Sequence, residues 1–290
     1  MALKKLQHKR ARNEGISAPP QEDFIYDEQR FRSKEHQLRF EAIQNWSFLK
    51  ERRVQLFNEE YEFADELDRR KWRPLATPLQ KFDPEIVLEF YANAWPLEGA
   101  LCDKRSFVRG QWIPYDSDAI NQFLGNPLVL PKGHLCEYME MRNDFNEDAM
   151  QQLFCIPGTD FARGITGNRV RIMRNNMTTI TQIWMTFVLS NNLPSDHNSD
   201  LPMSKCQLVY SILTQLSIDV AQIISDAIHQ FVILEPTRHP LNPERANKAL
   251  GFPALITGLC QFYGIQIHPS RNIRPPISRA FIEKYCLARQ

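Results

Sequence analysis

The 290-residue sequence predicts a mainly α-helical protein, a multi-helix globular domain with one short β-hairpin, preceded by a disordered basic arm and charged helices. Three observations predict it. Apolar residues recur at three- and four-residue spacing in segment after segment, the pattern of a helix with one buried face. Capping residues stand where those segments begin: Asp83 before Pro84, Asp116 and Asn146. Period-two alternation is confined to short runs, and only Arg105–Val108 and Gln111–Ile113, joined around Arg109-Gly110, read as a hairpin.

Residues 1–32 are polar and poor in apolar groups, with Lys4, Lys5, Lys9, Arg10 and Arg12 at the start, which predicts a disordered arm. Residues 33–71 mix charges with Leu38, Phe40, Ile43, Trp46 and Leu56, suiting one or two exposed helices along a domain edge. The globular domain, 72–290, follows the Trp72–Pro78 break. Its first helix carries Ile86, Val87, Phe90 and Tyr91; the next two carry Ile120, Phe123 and Leu124, then Met150, Leu153 and Phe154. A fourth spans 177–190. Ser204 to Gln207 has the form of a capping box opening a helix with Val209, Ile212 and Leu213, and Ser217 reads as the cap of the next, through Ile223, Ile224 and Ile228. Asn242-Pro243-Glu244 starts a helix that Gly251 ends, Phe252–Tyr263 forms another closed by Gly264, 269–276 is extended, and Ser278 opens a last helix.

Lys+Arg number 35 and Asp+Glu 34, a net charge of +1, so no global polyanion-binding signature exists and a nucleic-acid surface would need local charge separation. Cys102, Cys136, Cys155, Cys206, Cys260 and Cys286 are scattered without a CxxC pair, and Met1–Arg12 lacks the apolar core of a secretory signal. Both point to an intracellular protein, nuclear or cytoplasmic, with free thiols. No run approaches the ~18–20 apolar residues of a membrane span.

A nuclease of the RNase H type needs carboxylates converging on two metals, the first on a buried strand. Asp219 is the one Asp in a strongly apolar run, but the run has helical period and places it in a first turn, where an acid suits the helix dipole. Asp116, Asp118, Asp144, Asp148 and Asp160 fall in loops or helix starts. His134 and Cys136 form one close pair where structural zinc sites use two. A cysteine with His229 or His239 is compositionally available for nucleophilic catalysis, yet no local signature surrounds any of them, and His229 reads as a packed histidine. No phosphate-binding glycine motif occurs. The expectation is a protein without catalytic residues, metal or cofactor.

Two basic segments remain. Lys4–Arg12 suits a nuclear-localisation signal or a counterion-releasing arm, against a solubilising tail. Arg163–Arg174 holds Arg163, Arg169, Arg171 and Arg174 with two glycines and no acid. On an extended segment Arg169 and Arg171 point the same way, a geometry that suits phosphate. The alternative is a solvated loop whose arginines pair with the Asp144–Asp160 region upstream. Trp95, Trp112 and Tyr115 cluster about the hairpin, either to stack on bases or to cover the core.

The order Phe90-Tyr91-Ala92-Asn93-Ala94, Val108-Arg109-Gly110, Ile120-Asn121-Gln122-Phe123-Leu124 resembles the "putative plant transposon protein" domain, akin to the plant mobile domain and Athila-type proteins. The resemblance covers about 72–290, most strongly 82–124 and 163–264. It implies a plant retroelement-derived protein, gag-like or accessory, non-enzymatic, acting through RNA or DNA contacts or self-association. A host-domesticated interaction module without nucleic-acid binding, and a metal-dependent transposase or nuclease, are the alternatives. Longer relatives continue past a segment like Phe281–Cys286 into a polar tail, so a truncated product is expected.

Overall fold

Short helices alternate with very short strands through residues 25–57, 62–97, 99–100, 102–125, 128, 130–131, 133–142, 146–235 and 248–287, which the computed structural model describes. The chain runs α1 (Lys34–Ile43), β1 (Ser47–Phe48), β2 (Arg52–Val54), α2 (Glu62–Arg69), α3 (Arg73–Ala76), β3 (Lys81–Phe82), α4 (Pro84–Ala94), β4 (Arg105–Val108) and β5 (Gln111–Pro114). Next come α5 (Ser117–Leu124), α6 (Glu137–Met141), α7 (Glu147–Phe154), β6 (Ala162–Arg163), β7 (Arg169–Met173) and α8 (Thr179–Phe187), which widens into a π turn, Val188–Asn192. The last part is β8 (Asp200–Pro202), α9 (Met203–Leu213), α10 (Val220–Val232), β9 (Ala249–Leu250), α11 (Pro253–Phe262), β10 (Arg271–Asn272), β11 (Arg274–Ile277) and α12 (Arg279–Tyr285).

The expected mainly α class with one hairpin is therefore corrected. The fold is mixed α/β, 47% helical and 15% strand, with several small sheets. The predicted hairpin, β4 with β5, is one of five sheets among the described residues; its turn needs Arg109 and Gly110 both at positive φ (47° and 84°). The others are parallel β1–β9, parallel β2–β11, antiparallel β3–β10 and the antiparallel trio β6–β7–β8. Strands of two to five residues are too short to show an alternating pattern, and partners such as Arg52 and Arg274 lie at opposite ends of the sequence. The N- and C-terminal flanks are thus stitched together beside the helices.

The helix starts follow their caps. Asp83 Oδ1 accepts from the amides of Glu85 (3.1 Å) and Ile86 (3.3 Å), and its Oδ2 from that of His268 (2.7 Å), while its own amide donates to Thr257 Oγ1 (3.1 Å). One carboxylate thus caps α4 and fixes the chain beyond α11. Asp83→Ala is expected to cost about 2 kcal/mol in urea unfolding, since the cap and a long-range acceptor go together; a loss under about 0.5 kcal/mol would show that water replaces both. Asp116 and Asn146 cap α5 and α7 as expected, and Ser278 caps α12.

Two caps differ. The capping box at Ser204 does not form, because β8 carries the extended backbone through Pro202 and α9 opens directly at Met203. Asp219, not Ser217, caps α10, accepting from the Gln222 amide (2.9 Å). Ser217 instead accepts from the Glu137 amide while its own amide donates to the Glu137 carboxylate. Of the helix expected from Asn242 to Gly251, the start lies outside the described residues, and Ala249–Leu250 is strand.

The core is continuous. Helix α4 is buried on all sides from Ile86 to Ala94, and Trp184, Phe187 and Phe63 meet edge to face. The expected outer segment 33–71 supplies part of it: Ile43, Trp46, Leu56, Phe63 and Leu67 are buried. Of the expected disordered arm, residues 25–32 instead pack on α4, where Phe31 is buried. Asn93, fully buried, donates to the carbonyls of Arg30 and Phe107 (both 2.7 Å) and accepts from the Arg32 amide (3.1 Å). The basic residues Lys4, Lys5, Lys9, Arg10 and Arg12 lie outside the described residues. No helix among the described residues is long and apolar enough to cross a membrane.

Candidate nucleic-acid interface

The arginine-rich segment folds as the β6–β7 hairpin, with Gly167 at φ 83° in its turn. Arg163 pairs with Arg169 and Ala162 with Arg171, so Val170 is skipped and the register breaks there. The break separates the two arginines that a regular strand would have aligned. Arg169 keeps 11% of its side chain exposed and meets Asp148 (2.7 Å), Asp160 (3.2 Å) and Glu147 (3.8 Å). Arg163 also holds Asp160 (3.0 Å). Arg171 is 55% exposed, with Asp200 a distant 3.9 Å away. The upstream carboxylates thus take up Arg163 and Arg169, the arrangement weighed above as the alternative, although Asp144 itself lies outside the described residues.

Arg174 belongs to different surroundings. It donates to Thr186 Oγ1 (3.1 Å) and to the carbonyls of Tyr285 (3.3 Å) and Asn198 (3.4 Å). It also lies close to Arg52: the Arg52 pKa is pushed down to about 10, first by burial and then by repulsion from Arg274 and Arg174. Arg52 and Arg274 are register partners in the β2–β11 pair. The π turn fixes this strand, because Asn191 accepts from the Arg52 amide (3.1 Å) and donates to the carbonyls of Arg52 (2.8 Å) and Leu75 (2.9 Å).

Around these three the cationic character continues. Arg53 follows Arg52, Arg271 stands on β10 just before β11, and Lys81 stands on β3, the antiparallel partner of β10. Lys50 and Arg271 rest over the rings of Phe82 and Phe48, and Arg52 rests over Phe281. Among the described residues, no carboxylate oxygen comes within 4.0 Å of the side-chain nitrogens of Lys50, Arg52, Arg53, Lys81, Arg174, Arg271 or Arg274. Sequence reasoning missed this surface because Lys50-Glu51-Arg52-Arg53 reads as partly self-neutralised. Glu51 is in fact buried, its carboxylate turned to the amides of Ala254 and Leu255 at the start of α11, and burial raises its pKa to about 7. A stretch that looks mixed in charge turns its one acid inward and leaves Lys50, Arg52 and Arg53 half-buried.

The other candidates separate. Tyr115 is buried and Trp112 is exposed under the guanidinium groups of Arg32 and Arg105, so the hairpin aromatics do not form one open stacking face. Cys102 Sγ lies 3.3 Å from His229 Nδ1 and 3.5 Å from Tyr115 Oη, a pairing the sequence made available without marking. Burial and the neighbouring Lys104 lower the His229 pKa, which favours the neutral imidazole. Asp219 is spent as a helix cap. A recess of about 470 Å³ beside α11, walled by Leu75, Leu79, Phe123, Leu255 and Gly258, touches Glu51.

No curated protein and no solved structure matches the chain. A family model described as "Putative plant retrotransposon-related domain" matches residues 68–266. That span covers more than half of the chain, including Lys81 and Arg174, whereas Lys50, Arg52, Arg53, Arg271 and Arg274 stand in the flanks on either side. The chain belongs to the plant retrotransposon-related domain family and is retroelement-derived.

Proposed function

We propose that this retroelement-derived protein is a non-enzymatic nucleic-acid-binding protein, gag-like or accessory, that holds RNA or DNA through its phosphates. The observation that carries the reading is the carboxylate-free cationic surface around Arg52, Arg174 and Arg274. Net charge near zero argues against binding by the whole surface, but local separation of charge creates the needed field. Of the segment singled out in the sequence, Arg174 joins this surface and the exposed Arg171 lies three residues before it, while Arg163 and Arg169 are structural partners of Asp160. The basic cluster at Lys4–Arg12 would add a further counterion-releasing contact. Self-association remains part of the same reading, since a gag-like protein coats its nucleic acid in many copies.

Fluorescence anisotropy of the purified protein against single-stranded RNA and duplex DNA, across a salt series, tests the reading. The expected result is affinity falling steeply as salt rises, about one power of salt per phosphate engaged. Absence of binding to either polymer at low salt sinks it and leaves the interaction-module reading standing. Arg171→Gln with Arg174→Gln is expected to weaken binding several-fold and flatten the slope by roughly 1 to 2. An unchanged slope would remove both residues from the interface.

A further inference from the structure

Where β2 and β11 meet, the chain forms a recess of about 240 Å³ lined by Arg53, Gln55, Gln80, Ile273, Arg274 and Pro275–Pro276. Its floor is fixed by backbone pairing on both sides. The Gln55 amide donates to the Ile277 carbonyl (2.9 Å), the Ile273 amide to the Gln80 carbonyl (3.1 Å), and the Arg274 amide to the Glu51 carbonyl (3.0 Å). Arg53 is oriented by one hydrogen bond, from Nη1 to the Pro78 carbonyl (3.0 Å), which leaves the rest of its fork open. No carboxylate lines the recess. The two prolines bring no amide hydrogen and break the β11 register, which leaves the recess open beside Arg274.

We propose that this recess is a phosphate-binding notch that seats one phosphodiester of a nucleic-acid backbone between the Arg53 and Arg274 guanidinium groups, with the Gln55 and Gln80 amides available as neutral donors. It rests on the nucleic-acid reading above and gives that reading a seat.

Three arguments carry it. Two arginines and two glutamines line one small concave space, and their forks and side-chain amides match a tetrahedral oxyanion better than a point cation does. Arg52, the register partner of Arg274, is repelled by both Arg274 and Arg174, so like charge gathers beside the notch, an arrangement relieved when an anion binds. Finally, the Phe82 ring is buried, and the half-buried rings of Phe48 and Phe281 each already carry an arginine, Arg271 and Arg52, so the aromatic surface open to a base is small. Recognition is then of the backbone, independent of sequence, and the same notch accepts RNA or DNA phosphates.

The test is the salt-series titration repeated with Arg53→Gln/Arg274→Gln and, because Arg53 also holds the Pro78 carbonyl, with Arg274→Gln alone. Arg279→Gln, which removes the partner of Glu283 on α12, serves as control. Single-stranded RNA and duplex DNA are run in parallel, with polyglutamate as competitor. The expected result is a roughly tenfold weaker affinity at 0.1 M salt for the double variant, with the salt slope smaller by about 1 to 2 and the control unchanged. The single variant should show about half the loss with an unaltered melting temperature. Steep salt-dependent binding by the wild type with no change in either notch variant would overturn the notch and leave the nucleic-acid reading intact. Binding of neither polymer by the wild type overturns both. Equal displacement by polyglutamate would replace phosphate recognition with general anion attraction. A larger effect on one polymer than the other would identify which backbone the notch fits.

Discussion

Glu89→Ala is expected to lower the unfolding free energy by about 3 kcal/mol. Glu89 stands in the middle of α4 with no exposed surface. Its carboxylate accepts from Arg30 Nε (3.1 Å), and from the Arg109 amide (2.7 Å) and Nε (3.0 Å). One group therefore ties the 25–32 segment and the β4–β5 turn to the central helix, and Asn93 repeats the tie one helical turn later. Removing it leaves the Arg109 amide without its acceptor and the Arg109 guanidinium without its counter-charge, while Arg30 keeps Glu85 (3.1 Å). Arg30 and Arg109 keep 28% and 45% of their side chains exposed, so water recovers part of the loss and the effect falls at the low end for a broken buried pair. Glu89→Gln should recover less than half, because its NH₂ must face a guanidinium group. Urea unfolding of the three proteins measures this, and proteolysis near residues 25–32 should speed up in the variants. A loss below 1 kcal/mol would mean that Asn93 alone holds both segments.

The same residues show why the sequence was legible in parts. Caps are local: Asp83, Asp116 and Asn146 each act on amides two or three positions ahead, and all three lie where a short window places them. The hairpin at Arg109-Gly110 is equally local. Glu89 and Glu51 are different: a charged residue inside an apolar helical run such as that of Glu89 reads as an exposed position, and Glu51 among Lys50, Arg52 and Arg53 reads as part of a solvated charged stretch. Their partners, Arg30 and Arg109 in one case and the α11 amides in the other, are set by tertiary packing. The small sheets fail for the same reason: Ser47–Phe48 and Ala249–Leu250 carry no alternation of their own and become strands only by meeting. For the site, the sequence concentrated on the one continuous run of arginines. The structure neutralises half of that run with Asp160 and assembles another cationic surface from segments that never exceed two adjacent arginines. The detectable signal was Lys50-Glu51-Arg52-Arg53 on one side of the family-matched span and Arg271 and Arg274 on the other.

Glu51 should make both stability and binding depend on pH. Desolvation raises its pKa from the ordinary 4.5 to about 7, against the two α11 amides that favour the ionised form. The unfolded chain therefore releases this proton first. The contribution of Glu51 to stability is full below pH 4.5, falls as the pH rises towards 7 and is flat above it, a total of about 3 kcal/mol. Other groups titrate in the same range, so the measurement is the difference between wild type and Glu51→Gln, which keeps an acceptor for Ala254 and Leu255 but cannot ionise. The variant should gain on the wild type by about 3 kcal/mol between pH 4.5 and pH 8. Binding moves the same way: below pH 7 a neutral Glu51 leaves Lys50, Arg52 and Arg53 without a nearby negative charge, so nucleic-acid affinity should be higher at pH 6 than at pH 8 in the wild type and less pH-sensitive in the variant. Parallel stability curves would mean that the helix N-terminus outweighs desolvation, that Glu51 is ionised throughout, and that the Lys50–Arg53 stretch carries its negative charge at every physiological pH.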